Sequence, residues 1–418
     1  IFGHLGDRIG RKTTLVITLM MMGVATTCIG LLPTYETVGS WAPLLLVLMR
    51  FIQGVAVGGE WGGAVLIASE NAPKGKGVLY SAFAQQGAPA GNLLAITVFF
   101  LLSAADTPDF LLNGGWRIPF LFSAVLIVIG LFIRLRIEDN KDVKKLLEEN
   151  REHNVQPVRE AIKGYWPMIL LGAGTLPIIY VTYVKTSFAL SWATKTLGYD
   201  SSTFLSLISV AVIVQCITQP FGAVLMSRMD MRKAILLITI PEFFLVPLMF
   251  YGIYSMNYWF AMLTMALATI PHGMYYGAIA GILARAFPAR VRYSGLSLAN
   301  QLGALTVGGR TPVLLQFLLN TTGSIVPVAI VSGGYALVSL VCILIVLRHT
   351  GTDATAPSTA EREDERDLAS AVADHLRAHG HAVDVAGDLA TAADAVAGID
   401  YDLMLLDRLL EGAGIKTV

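Results

Sequence analysis

The chain has 418 residues, of which 55% are hydrophobic and 14% charged, against about 25% charged in typical soluble domains. Its 30 basic and 30 acidic residues cancel formally, but residues 350–418 hold 14 acidic and 5 basic side chains, while the residues before them hold 25 basic and 16 acidic. These figures exclude a disordered chain and an ordinary soluble enzyme, and Cys28, Cys216 and Cys342, each inside an apolar run, do not make a disulfide framework.

A helix needs about 20 mostly apolar residues to cross a bilayer core. Such runs are predicted at 13–33, 42–69, 78–103, 116–135, 165–190, 203–226, 233–254, 258–284, 294–319 and 325–347. Residues 1–6 are too few to span. The chain begins at Ile1, without a signal-peptide pattern, and opens almost at once into a charged loop. At least one span is therefore expected ahead of that loop, and twelve in all. Alternate connectors carry 20 Lys/Arg, from Arg8, Arg11 and Lys12 through Lys74, Lys76 and the stretch Arg134 to Lys163 to Arg348; the others carry two, Arg117 and Lys195. Strict alternation places the basic connectors on the cytoplasmic side.

The connector at 136–164 is long, charged and helix-prone, and it divides an incomplete amino-terminal bundle, 1–135, from a carboxy-terminal bundle, 165–349. The loop GHLGDRIGRK at 3–12 has a weaker partner, AVLMSRMDMRK, at 223–233. Glu70 precedes Pro73 by three residues and Gln86 follows it by thirteen; Arg285, Pro288 and Gln301 repeat that spacing. Two similar membrane halves point to a transporter that rocks about a central site.

Gly3, Gly6 and Gly10 permit a tight turn and close helix approach, and Asp7 can pair with Arg8, Arg11 or a neighbouring helix end. Arg50-Phe51-Ile52-Gln53-Gly54 and the run GGEWGG at 58–63, which contains Glu60, lie within one span. A charge there costs about 2.5–3.5 kcal/mol on insertion scales, so it is expected to face a cavity or a partner. The loop at 3–12 resembles the signature loop between helices two and three of the major facilitator superfamily, and Arg50-x-x-Gln53-Gly54 resembles its fourth-helix motif. GGEWGG, the run GWRIPF at 115–120 and the run PARVRYSGLSLANQLG at 288–303 are similar to the metabolite:proton symporter family, whose members carry shikimate, 2-oxoglutarate, citrate or proline and betaine. The resemblance covers residues 1–349, and the first half is nearest to shikimate-type members.

It implies an all-α membrane protein of two pseudo-symmetric helix bundles, importing a small organic acid or zwitterion with protons by alternating access. Protons are then the coupling ion, no cofactor or nucleic acid is involved, and the chain acts as a monomer in a bacterial inner membrane. Arg50, Gln53 and Glu60 are expected in transport and coupling, and Asp7, Arg8, Arg11 and Glu70 in a conformational latch. An acid on a preceding helix, or the substrate's carboxylate, is expected to pair Arg50. In the second half the loop acid is replaced by Ser227 and the counterpart of Glu70 is Arg285, so a charged latch is expected in the first half alone. Gln86, Tyr183, Lys185, Tyr276, Asn300, Gln301 and Arg310 are candidate cavity residues; Lys185 and Arg310 either attract an anionic substrate or snorkel toward the outer surface, and the tyrosines either line the cavity or pack between helices. Glu242 is a further intramembrane charge, and His272, beside Pro271 and Gly273, reads as a packed polar residue in preference to a proton relay. The run Gly87-Ala88-Pro89-Ala90-Gly91 leaves a drug exporter as the alternative transporter.

Residues 350–362 read as a linker. The remainder, 363–418, alternates predicted helices near 367–379 and 388–397 with strands at HAVDVA and YDLMLLD. It resembles half of a response-regulator receiver domain, with Glu363, Asp364 and Glu365 as the acidic cluster and Asp407 at the phosphoacceptor position. The first strand is replaced by STAERED, and the later strands with their Thr and Lys are lacking. That gap counts against the alternative of a membrane receptor signalling through the tail, and the tail is expected to be a truncated piece.

Overall fold

The computed structural model describes residues 2–73, 76–104, 114–136, 156–350, 370, 373–379 and 381–385, apart from the side chains at 3–4, 8–9, 99–101 and 103–104. It divides into two units, Ile1–Ser358 and Thr359–Val418.

The first unit is a bundle of helices: α1 (Phe2–Ile9), α2 (Arg11–Leu31), α3 (Tyr35–Val38), α4 (Trp41–Glu70), α5 (Gly77–Ala104), α6 (Arg117–Arg136), α7 (Pro157–Gly174), α8 (Ser201–Arg228), α9 (Met231–Tyr254), α10 (Tyr258–Ala284), α11 (Arg292–Gly303), α12 (Thr311–Thr322) and α13 (Val326–Thr350). Their starts follow local chemistry. Asp200, Asp230 and Asn257 cap α8, α9 and α10, accepting from the amides of Thr203, Lys233 and Phe260, which satisfies donors with no partner inside the helix.

Among the described residues, eight segments are long and apolar enough to cross a membrane, where ten were expected. The predicted runs 78–103 and 258–284 form α5 and α10, of 28 and 27 residues, but stand outside those eight. They carry the polar side chains Gln85, Gln86 and Asn92, of which Gln85 and Gln86 bond to the second half, and His272, Tyr275 and Tyr276. The run predicted at 165–190 starts earlier: α7 begins at Pro157, inside the expected 136–164 connector. The rest of that connector, 137–155, lies outside the described residues.

Two spanning segments are irregular. Beyond α7 the chain passes through a 3-10 turn at Pro177–Tyr180 and π-helical stretches at Val184–Phe188 and Ala193–Leu197. In the other, a π-helical stretch at Ala304–Gly308 separates α11 from α12. Such stretches re-aim side chains and concentrate at functional sites, and Lys185 sits in the first of them.

In the first half α2 packs against α4 and α6; in the second, α10 packs against α8 and α9, and α13 against α7 and α9. Between halves, α5 packs on α8 and α10, α1 on α11, and α4 on α10 and α11. One apolar core, including Val65, Val78, Ile279, Phe287 and Leu296, joins residues of both halves.

Among the described residues of the second unit there is a helical stretch at 373–378 and no strand at 381–385. The strand expected there does not form. Its groups bond back to the helix instead: the His381 amide donates to Leu376 O at 3.1 Å and Arg377 Nη2 donates to Val383 O at 2.8 Å. Glu363, Asp364, Glu365, Asp407 and the expected strand YDLMLLD lie outside the described residues.

Candidate functional site

The signature loop folds as two helices joined at Gly10, whose φ of +107° is a conformation that favours glycine. The break turns Asp7 and Arg11 inward, and both are 1% exposed. Arg11 Nη1 donates to Asp7 Oδ1 at 3.0 Å and to Gly6 O at 3.0 Å, and Nη2 donates to Glu70 Oε1 at 3.2 Å. The Arg8 side chain lies outside the described residues.

Asp7 does not cap its own helix. It reaches the other half, where Oδ2 accepts from the Ser294 amide at 2.8 Å and Oδ1 from the Tyr293 amide at 3.3 Å. These are the second and third residues of α11, whose own N-cap position, Val291, supplies no side-chain bond. An acid from one half thus caps a helix of the other, where the helix dipole also favours negative charge. Tyr293 completes the junction: its hydroxyl donates to Gly59 O, and Arg11 lies 5.7 Å from its ring centroid. Gly6 makes the approach possible, because a Cβ there would stand 1.7 Å from Tyr293 Cδ1. Gly6→Ala is therefore expected to cost about 1–3 kcal/mol by overpacking, read as a lower midpoint of thermal unfolding; an unchanged midpoint would show that α1 and α11 separate freely.

Burial pushes the Asp7 carboxyl up to about 6, against the lowering pull of Arg11 and the Ser294 and Tyr293 amides. Among the described residues, Arg11, Glu70 and the Tyr293 hydroxyl are titratable groups at the junction, and Glu60 and Arg134 act on Tyr293. A released, hydrated Asp7 returns toward its ordinary value of 3.8. The joined arrangement binds the proton more tightly, so its advantage is complete below the released value and is lost as pH rises through about 6. Lowering the pH from 7.5 to 5 should raise the ratio of joined to separated states about tenfold. Spin-label distances across α1 and α11 measure this, and Asp7→Asn should flatten the dependence.

The residues expected in coupling are otherwise engaged. Arg50 is exposed and, among the described residues, its Nη1 donates to Gln53 Oε1 at 3.2 Å, while Gln53 Nε2 donates to Thr26 Oγ1 at 2.6 Å. Glu60 pairs with Arg134 at the end of α6, and Arg134 also donates to Leu15 O, so the three elements α2, α4 and α6 are clamped together. Across the halves, Gln85 Nε2 donates to Tyr276 O at 3.1 Å while Oε1 accepts from Trp61, and Gln86 Nε2 donates to Cys216 O at 2.8 Å.

A small cavity opens where α5 meets the second half, lined by Asn92, Thr182, Lys185, Thr186, Gln215 and Met265 with their apolar neighbours. Of the seven expected cavity residues, Lys185 alone lines it. Lys185 is 3% exposed, and Nζ donates to Thr269 Oγ1 at 3.1 Å. An ammonium has three donors, so the others remain for the cavity. Tyr183 is exposed and stacks on Tyr180, and Tyr276 packs beside His272. Gln301 is exposed beside Gly58, Asn300 is half-buried, and Arg310 is exposed at the start of α12.

Sequence reasoning left out Tyr293 and Ser294, although both lie in the run 288–303; toward Asp7 their part is played by backbone amides, which no residue type announces. Arg134 was placed in a connector, and the signal for it was an acid, Glu60, with no cation on its own helix face.

The sequence profile of the Major Facilitator Superfamily matches residues 1–309. The inner membrane metabolite transport protein YhjE of Escherichia coli (strain K12) is 35% identical over 333 residues, 77% of this chain and 74% of that one. The shikimate transporter of the same organism is 35% identical over 327 residues, 76% and 74% of the two chains. Its proline/betaine transporter is 33% identical over 337 residues, 77% of this chain and 66% of that one. Among solved structures, the proton:xylose symporter XylE shares the fold with a TM-score of 0.71 at 14% identity, over 87% of this chain and 85% of that one.

Proposed function

The chain belongs to the Major Facilitator Superfamily, and on that premise we propose that it is a proton-coupled secondary transporter importing a small organic acid or zwitterion of the shikimate, 2-oxoglutarate or betaine class. One observation carries the reading: the halves are held together at one end by the trans-cap of Asp7 on α11, while a cavity carrying the buried cation Lys185 lies farther along their junction. A joint that closes at one end beside a buried binding group is the arrangement alternating access requires.

In this reading α5 and α10 cross the membrane with the other spans. The end bearing Asp7, Arg11 and Glu70 faces the cytoplasm, because the basic connectors gather there. The connector 137–155 and the tail follow on the same side, in a bacterial inner membrane. Asp7, Arg11 and Glu70 form the latch. Arg50 and Gln53 act in coupling through the polar pair they make, and Glu60 serves by clamping α4 to α6. The names of the similar transporters, which include shikimate and proline/betaine carriers, support the substrate class.

Uptake by cells expressing the chain tests this. Labelled shikimate, 2-oxoglutarate and betaine are supplied with and without a proton uncoupler. Uncoupler-sensitive accumulation of one of them is expected; uptake of none, with the protein present in the membrane, overturns the assignment.

A further inference from the structure

The second half buries two ionisable groups that neither the latch nor an anion anchor uses. Glu242 of α9 and His272 of α10 are both 0% exposed, and His272 Nδ1 lies 3.2 Å from Glu242 Oε1. His272 Nε2 lies 2.8 Å from Thr182 Oγ1, and Thr182 lines the cavity that holds Lys185. A carboxyl–imidazole–hydroxyl chain therefore runs from deep inside the second half to the cavity wall. Glu242 Oε2 has no hydrogen-bond partner among the described residues. Unmatched ionisable groups inside membrane helices are costly and mark ion or proton pathways.

We propose that Thr182, His272 and Glu242 form a proton relay, and that the Glu242 carboxyl is the proton-binding group of the transport cycle. The proposal rests on the reading of the chain as a proton-coupled importer and adds the site and the reason for coupling. With a neutral imidazole, Nδ1–H donates to Glu242 and Nε2 accepts from Thr182. In the relay Glu242 is a carboxylate while the cavity is empty and balances the ammonium of Lys185, with which it interacts electrostatically. A substrate carboxylate at Lys185 leaves two anions for one cation. A proton then enters from cavity water through the Thr182 hydroxyl onto His272 Nε2. The Nδ1 proton passes to Glu242, and the neutral imidazole keeps its proton on Nε2. One proton leaves the cavity for each carboxylate that arrives, and the buried charge is the same before and after.

The surroundings fit a relay with one acid. Tyr275, on α10, donates its hydroxyl to Thr175 O at 2.7 Å, and the Tyr276 ring lies 6.4 Å from the imidazole. The neighbouring helices α8 and α13 bring the neutral Gln215, Gln219, Ser339 and Cys342, and α9 adds Thr239 one turn before Glu242. Lys185 is the cation of this group.

The test uses the full chain in proteoliposomes. Infrared difference spectra between acid and alkaline pH, without substrate, should contain the carbonyl stretch of a protonated buried carboxyl that Glu242→Gln removes and His272→Gln shifts in midpoint. In parallel, labelled 2-oxoglutarate and shikimate are followed under an inward proton gradient. Wild type should accumulate its substrate about tenfold per pH unit of gradient, whereas Glu242→Gln should exchange it across the membrane without accumulation. Identical spectra from wild type and Glu242→Gln, or gradient-driven accumulation by that variant, overturn the relay. If wild type moves neither acid, the organic-acid reading fails, and the infrared titration still decides whether Glu242 takes the proton.

Discussion

In Lys185→Gln, transport of a carboxylate substrate falls by about two orders of magnitude while the folded protein keeps its closed junction. Lys185 is a buried cation with one hydrogen bond, to Thr269, in the wall of the cavity at the junction of the halves. Removing one member of a buried, hydrogen-bonded charge pair costs about 2–5 kcal/mol, roughly 30- to 3,000-fold in affinity at 1.4 kcal/mol per decade. The loss belongs in substrate affinity. Lys185→Arg keeps the charge but changes its shape and reach, so it should recover part of the binding. Arg310 is exposed and lies outside the cavity lining, and Arg310→Gln should transport like wild type. Binding by Lys185→Gln at wild-type affinity would show that the anion sits elsewhere.

Asp7→Ala should have the opposite signature. It removes the acceptors of the Ser294 and Tyr293 amides and one partner of the buried Arg11. Losing a helix cap costs about 0.5–2 kcal/mol, and a buried donor left unsatisfied about 1–3 kcal/mol. The closed junction should weaken by about 2–4 kcal/mol, roughly 30- to 1,000-fold in its equilibrium with the open one. A single cysteine at Ser297, which is 7% exposed beside the junction, should then react much faster with a thiol reagent. For that experiment Cys28, Cys216 and Cys342 are replaced by serine. Turnover should fall while substrate affinity stays near wild type. A large loss of affinity in a folded Asp7→Ala protein would make Asp7 a ligand rather than a latch.

Eight of the ten expected spans were legible because apolar length needs no tertiary information. The junction at Asp7 was half legible. Asp7, Arg11 and Glu70 meet as their charges suggest, but the other partner of Asp7 is the backbone of α11, which side-chain chemistry does not disclose. Arg50 and Glu60 were assigned by the cost of charge in a span, and that argument fixes the need for a partner without fixing which one. Glu60 found Arg134 from another helix end, and Arg50 found the amide of Gln53. His272 read as packed because Pro271 and Gly273 flank it; its contact with Glu242 depends on two helices whose relative rotation the sequence does not specify. The tail strand at 381–385 was inferred from residue alternation, yet strands require a partner to accept their ladder bonds.

Gradient-driven accumulation by the purified chain is the most direct test of the account. In proteoliposomes, a labelled substrate identified in the cell assay is supplied outside, with the interior more alkaline than the exterior. Accumulation above the external concentration, abolished by an uncoupler and saved as exchange alone in Glu242→Gln, is the result the account predicts. Uptake that merely equilibrates, with the same time course in the presence and absence of the gradient, would contradict it.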